Sequence, residues 1–188
     1  EIDVKTGLKI IFQKEKIIDA LKQEYPNISF TFVENNIYER TNTLYSMSLA
    51  IDHLKEGFIY LHGDVTLNKN ILKNLLDEKY KNAAVIEAHK ESMEVFGFDG
   101  IMTRISKKKD ALGKALGMYK FGKEMAERLF EEAEKVILSG NLNAFQSEAI
   151  NPTVIHHKME LINTNNLGWF EVDEENELLE AERIMGDI

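Results

Sequence analysis

Residues Phe58 to Val65 read F-I-Y-L-H-G-D-V, an apolar run that closes on a glycine and an aspartate before a polar turn and a helix-like stretch from Asn68. Such a run predicts a buried strand that delivers a carboxylate where the backbone turns, and open α/β sheets carry their ligand-binding groups at that end of their strands. Asp64 is therefore the first candidate for chemistry. A second acid of the same kind lies in G-W-F-E-V-D, Gly168 to Asp173, ahead of a helix expected over Glu175 to Met185. Two strand-end acids far apart in sequence can meet around one metal ion.

Apolar residues recur at helical spacing over Glu15 to Tyr25, Thr43 to Leu54, Asn68 to Tyr80, Lys123 to Ser139 and Ala144 to Ile150. Asn42 or Thr41 can cap the second of these, and Gly140 stops the fourth. Strands are expected at Ile28 to Val33, Ala83 to Ala88, Phe98 to Ser106, Ala115 to Phe121, Glu160 to Asn163 and Trp169 to Val172, after a short apolar run from Gly7 to Phe12. Strands alternating with helices imply a largely parallel sheet sandwiched by helices. The 188 residues suit one domain spanning 1–188.

With 44% apolar residues and no long charge block, the chain can bury enough surface to fold. Its formal charge of -9, with Lys and Arg scattered among the acids, argues against a broad nucleic-acid footprint. A phosphate-bearing small molecule can still bind through a few local lysines and a divalent cation. The absence of cysteine excludes disulfides, thiolate zinc sites and Cys nucleophiles. No apolar run approaches the roughly 20 residues of a membrane span and no signal-peptide pattern opens the chain, so a cytoplasmic location without membrane contact is expected. The first residue is Glu1 and not Met, so the expectation is that something has been removed from, or is missing at, the amino end.

Four segments carry a resemblance. N-I-Y-E-R-T-N-T-L-Y-S-M-S-L-A (Asn36 to Ala50), the Asp64 strand, G-M-Y-K-F (Gly117 to Phe121) and the terminal W-F-E-V-D-E-E-N-E-L-L-E-A-E are similar, in the same order, to the nucleotidyltransferase family. That family includes the sugar-phosphate nucleotidyltransferases and the phosphocholine cytidylyltransferases. The likeness covers most of the chain from about Glu15 and is strongest to the choline-phosphate type, whose pattern is N-N-x-Y-S-L where Thr41 to Met47 stand here.

The resemblance implies a Rossmann-like, three-layer α/β sandwich with a mostly parallel sheet, of the nucleotide-diphospho-sugar transferase type. It implies transfer of a nucleoside monophosphate, with CTP the favoured donor, onto a small phosphorylated alcohol such as phosphocholine, releasing pyrophosphate. By position Asp64 and Asp173 would bind Mg²⁺, Asn42 and Ser46 would face the nucleotide, and Lys107, in a run with Lys108 and Lys109, would meet a phosphate. One departure stands out: the family opens with L-A-A-G-x-G-x-R followed by P-K, whose backbone N–H groups and cations cradle the triphosphate, and this sequence has no such loop. The expectation is that the working protein has stretches this sequence does not contain. A sugar-1-phosphate nucleotidyltransferase and a degenerate, non-catalytic nucleotide-binding domain are the alternatives.

Each candidate also has a plainer reading. Asp64 can begin a turn and cap the next helix, and D-E-E-N at Asp173 looks like a helix N-cap. Glu171 shares a face with Asp173 in a regular strand, which makes it a possible further acidic ligand, and Trp169 shares that face as a core residue or platform edge. Glu148 can attract a cationic head group or be an ordinary exposed helix glutamate, and Tyr119 can line the acceptor site or pack. His62 is expected on the opposite side of the strand from Asp64, and His156-His157 lacks a partner at metal spacing. The D-V-T at Asp64 to Thr66 counts against a glycosyltransferase, which normally shows D-x-D.

Overall fold

The computed structural model describes residues 6–9, 14–88, 94–106 and 112–186. In chain order these form β1 (Thr6–Lys9), α1 (Lys14–Glu24), β2 (Phe30–Val33), α2 (Thr43–Ser48), α3 (Ile51–Leu54), β3 (Gly57–Leu61), β4 (Val65–Leu67), α4 (Lys69–Leu76), β5 (Ala83–Ala88), β6 (Glu94–Phe98), β7 (Ile101–Ser106), β8 (Gly113–Gly122), α5 (Lys123–Leu138), α6 (Ser147–Thr153), β9 (Glu160–Asn163), β10 (Trp169–Glu171) and α7 (Leu178–Gly186). Short 3-10 turns occupy Tyr38–Arg40 and Glu175–Glu177. No helix among the described residues is long and apolar enough to cross a membrane. The chain divides into two compact units, one of residues up to 55 with 127–149, the other of 56–126 with 150 onward.

In the first unit β1 and β2 pair in parallel, Thr6 opposite Phe30 and Lys9 opposite Val33. Beyond β2 a buried polar knot sets the loop before α2. Asn35, only 4% exposed, donates from Nδ2 to Thr41 Oγ1 at 2.8 Å and to Ser46 Oγ at 3.0 Å, and its Oδ1 accepts from the Ile37 N–H at 3.1 Å. Burying an amide is tolerable only when it is paired in this way. The helix predicted over Thr43 to Leu54 breaks into α2 and α3. Ser48 Oγ donates back to the Tyr45 carbonyl at 2.7 Å, a side-chain bond of the kind that competes with the helical ladder.

The second unit holds a six-stranded sheet in the order β3-β8-β5-β9-β7-β6, and β6 also pairs with β8, so part of the sheet closes on itself. The largely parallel sheet expected from the alternation of elements is corrected here to a mixed one. Among the described residues its one parallel pair is β5–β9, Ala83 opposite Glu160, while β3–β8, β5–β8, β6–β7, β6–β8 and β7–β9 are antiparallel. For β6 and β7 the physical cause sits at Asp99-Gly100, both at positive φ (50° and 72°). A D-G pair in that conformation is a tight hairpin; it starts the strand expected from Phe98 at Ile101 instead, as β7, and leaves Phe98 as the last residue of β6, a strand not expected from the sequence. A separate two-stranded ribbon pairs β4 antiparallel with β10, so Trp169 to Val172 does not complete the main sheet.

One core cluster lies between α4 and this sheet. Asn68 Oδ1 caps α4 by accepting the Asn70 N–H at 2.9 Å, and Ile71 and Leu75, four apart on one helical face, pack with Val85, Leu116, Met118 and Ile162. Leu75 is fully buried. Leu75→Ala is expected to cost about 3 kcal/mol through lost transfer energy and a residual cavity, read as a lowered urea midpoint with an unchanged slope.

Candidate functional site

The strand that carries Asp64 stops at Leu61. His62, Gly63 and Asp64 form the turn from β3, the edge of the main sheet, into β4 of the ribbon. The ribbon register places Glu171 opposite Val65, and the Val172 N–H donates to the Asp64 carbonyl at 2.7 Å. Glu171, from the far end of the sequence, is thereby set beside Asp64. One ligating atom each from His62, Asp64 and Glu171 lies within 4.8 Å of the others.

His62 corrects an expectation. It does not face away from Asp64, since its Nδ1 lies 4.0 Å from Asp64 Oδ1. Residues two apart share a face in extended chain, so the H-x-D spacing was itself the signal. The ring is also seated by its neighbours. The His62 N–H donates to the Gly117 carbonyl at 3.1 Å, and Tyr60 meets the imidazole edge-on with centroids 5.5 Å apart. Gly117 adopts φ +67°, and a Cβ there would stand 2.3 Å from His62 Cγ and 2.4 Å from Nδ1. Only glycine supplies both that backbone conformation and that space. The register of β5 against β8 shifts between Ala84 and Ile86, opposite this glycine, which is the usual effect of a bulge.

Lys114 escaped notice in the sequence because it precedes the expected start of its strand at Ala115. Its Nζ sits 2.7 Å from Glu171 Oε2, with both side chains under one-third exposed, and 5.0 Å from the centroid of the Trp169 ring. The Trp169 indole N–H donates in turn to the Glu87 carboxylate. Trp169 and Glu171, two apart on β10, thus share the face that alternation predicts and hold one lysine between them. The locality carries two acids, one imidazole and one ammonium, a set able to hold a divalent cation or to meet a phosphate.

Neither proposed acid is a helix cap. Asn68 caps α4, and Glu174 forms the capping box of the 3-10 turn with Glu177, whose carboxylate also accepts the Asp173 N–H at 2.7 Å. Asp173 is exposed, two residues past Glu171, and stands outside the three-residue ligand group. Tyr119, 2% exposed, packs against Tyr60 and Phe121. In the first unit Asn42 Oδ1 caps α2 by accepting the Thr43 N–H at 2.7 Å, and Ser46 Oγ accepts from Asn35. Glu148 is exposed near the start of α6 and accepts from Asn141 Nδ2 at 3.2 Å. Lys107 lies outside the described residues.

Burial, and then the negative charge of Asp64, push the Tyr60 phenol up from 10.0 to about 12. Burial also raises Tyr119. For a group whose folded value exceeds its unfolded value, the stabilisation is complete below the unfolded value and is lost as pH rises through the folded one. Denaturant stability of the protein is accordingly expected to fall between about pH 10 and pH 12, and less steeply in Tyr60→Phe. An identical slope in the variant would show that the Tyr60 phenol carries none of the loss.

No protein-family model matches this sequence, and no curated protein sequence does either. Solved structures match it well in shape. CTP:phosphocholine cytidylyltransferase from Streptococcus pneumoniae superposes with a TM-score of 0.74 at 21% identity, covering 96% of this chain and 78% of that one. Inositol-1-phosphate CTP transferase from T. maritima gives a TM-score of 0.76 at 14% identity over 97% of this chain and 76% of that one. HddC from Yersinia pseudotuberculosis, complexed with GMP-PN, gives 0.60 at 13% identity over 96% and 77%. The α/β fold of this chain is that of the nucleotide-diphospho-sugar transferases.

Proposed function

We propose that the protein is a nucleotidyltransferase that moves a nucleoside monophosphate from a nucleoside triphosphate onto a small phosphorylated alcohol. The observation that carries this reading is the meeting of Asp64 and Glu171 at the turn between two sheets, in a fold shared with enzymes named for such transfers. In the reaction an acceptor phosphate oxygen attacks the α-phosphorus, and the α–β bridging bond breaks to release pyrophosphate. Charge neutralisation and positioning supply nearly all of the catalysis in such transfers.

A divalent ion fits the donor set, because Mg²⁺, the ion the resemblance implies, needs only one or two carboxylates besides waters and substrate phosphates. Bound there, the ion would offset charge on the triphosphate. Asp64 and Glu171 supply oxygens, with Asp173 two residues along the same segment as the further proposed ligand. Lys114 offers an ammonium to a phosphate oxygen in place of its present carboxylate partner. The reading keeps Asn42 and Ser46 as nucleotide contacts, Lys107 as a phosphate contact, and Glu148 on the acceptor side for a cationic head group, while the buried Tyr119 serves packing.

CTP and phosphocholine are the favoured substrates, resting on the Thr41 to Ala50 motif and on the cytidylyltransferase likeness. A sugar- or cyclitol-phosphate acceptor is the second reading, favoured by the inositol-1-phosphate CTP transferase. Pyrophosphate release is to be followed with CTP, UTP, ATP and GTP against a panel of phosphorylated acceptors. Fastest turnover is expected with CTP and phosphocholine. A purine preference overturns the base, faster turnover with a hexose 1-phosphate overturns the acceptor, and release from no combination overturns the activity.

Asp64→Asn and Asp173→Asn are each expected to lower turnover on the order of 10³-fold, about 4 kcal/mol of transition-state stabilisation. The double variant should be little worse than either single one, as for residues that act as a unit. Steady-state turnover across a Mg²⁺ titration measures this, with thermal melts as the folding control. Near-normal activity in Asp64→Asn, or losses that multiply, would separate the two acids from a shared ion.

A further inference from the structure

We propose that His62 is a metal ligand, and that the His62–Asp64–Glu171 group binds a divalent transition ion of the zinc and cobalt class in preference to Mg²⁺. The inference rests on the reading of this locality as the metal site and changes the kind of ion it selects. Mg²⁺ is a hard ion that takes oxygen ligands in near-octahedral geometry. An imidazole adds little for it, whereas zinc and its neighbours bind imidazole nitrogen strongly and are commonly held by histidine and carboxylate together. Three protein ligands leave open positions for water or a phosphate oxygen, as in catalytic zinc sites.

Geometry supports His62 as a built ligand. Its backbone is held by the Gly117 carbonyl and its ring is flanked by Tyr60. The ring fills the space where any side chain at Gly117 would stand, and the glycine's φ of +67° admits few other residues. A main-sheet strand has therefore given up a side-chain position and a regular backbone to seat an imidazole 4.0 Å from the Asp64 carboxylate. The mutual separations of up to 4.8 Å close by side-chain rotation to the about 3.3 Å between ligands on bonds of about 2.0 Å. Glu171 already holds Lys114 on Oε2. A carboxylate has about four lone-pair sites, enough to serve a lysine and a cation together.

The test is titration of the whole chain with Co²⁺ alone, followed by its d–d absorption bands, with Mg²⁺ then added as competitor. Co²⁺ is expected to bind at least about tenfold more tightly than Mg²⁺, and His62→Gln to lose that advantage while Mg²⁺ affinity stays the same. In wild-type protein labelled at its histidine ring nitrogens, Co²⁺ should shift the His62 signal among the five histidines. This needs no variant, and His62→Asn provides a second one should His62→Gln not fold. Unchanged Co²⁺ affinity in the variants, equal affinity for the two ions, or a His62 signal that Co²⁺ leaves in place would overturn the proposal. Nucleotidyl transfer is assayed separately. Its absence with Co²⁺ binding intact defeats the functional reading and leaves the ligand set standing, and transfer with Co²⁺ binding indifferent to His62 does the reverse.

Discussion

Everything in the second unit depends on the pairing of β8. This ten-residue strand takes β5 along one side. On the other it takes β6 near its start, Lys114 opposite Glu94, and β3 near its end, Phe121 opposite Phe58. It could not serve all three as a straight ribbon. The register shift against β5 and the left-handed Gly117 bend it midway, and the bend falls where β3 ends and the chain turns toward Asp64. The same irregularity that lets one strand join three partners presents a carbonyl to His62 and leaves room for its ring. Packing and site geometry therefore have a common origin.

The electrostatics of the site follow from where it sits. A turn linking the edge of the main sheet to a two-stranded ribbon leaves Asp64 about half exposed (48%) while Glu171 and Lys114 are mostly covered (30% and 21%). Partly covered charges are costly when alone, and here the structure supplies a lysine for one acid and an imidazole near the other. Asp64 is felt as far as Tyr60, whose phenol is held more firmly protonated. With two carboxylates and one ammonium the locality keeps a negative balance, which favours an entering cation.

Much of the fold was legible because local chemistry and tertiary packing agree. Ala83–Ala88 and Glu160–Asn163 begin and end at the expected residues, α5 starts at the expected Lys123, and Asn68 caps α4. The failures share one cause, a backbone reversal inside a continuous apolar pattern. Asp99-Gly100 reverses the chain between Phe98 and Ile101 and so trims the expected strand to β7, while His62 to Asp64 breaks the run from Phe58 to Val65 between β3 and β4. β8 starts at Gly113, two residues before the expected Ala115. A side chain at 113 would collide with the Glu87 carbonyl at 2.3 Å. Of the candidate site, Asp64 was visible as a strand-end acid and Glu171 as an acid sharing the face of Asp173, while Lys114 was not, since it precedes the expected start of its strand at Ala115.

The position of β3 has a consequence for synthesis on the ribosome. Among the described residues its one strand partner is β8, which lies well downstream in the sequence. At about 5–20 residues per second, roughly 60 further residues require about 3–12 s, during which Phe58, Ile59, Tyr60 and Leu61 have emerged with neither edge paired. A nascent chain in that interval presents an aromatic, β-prone segment of the kind that adds to other strands. His62, Gly63 and Asp64 follow it directly. A glycine and a charge at the end of such a run limit its extension into longer strand pairing, so the residues that form the turn of the finished site also guard the strand while it waits for its partner.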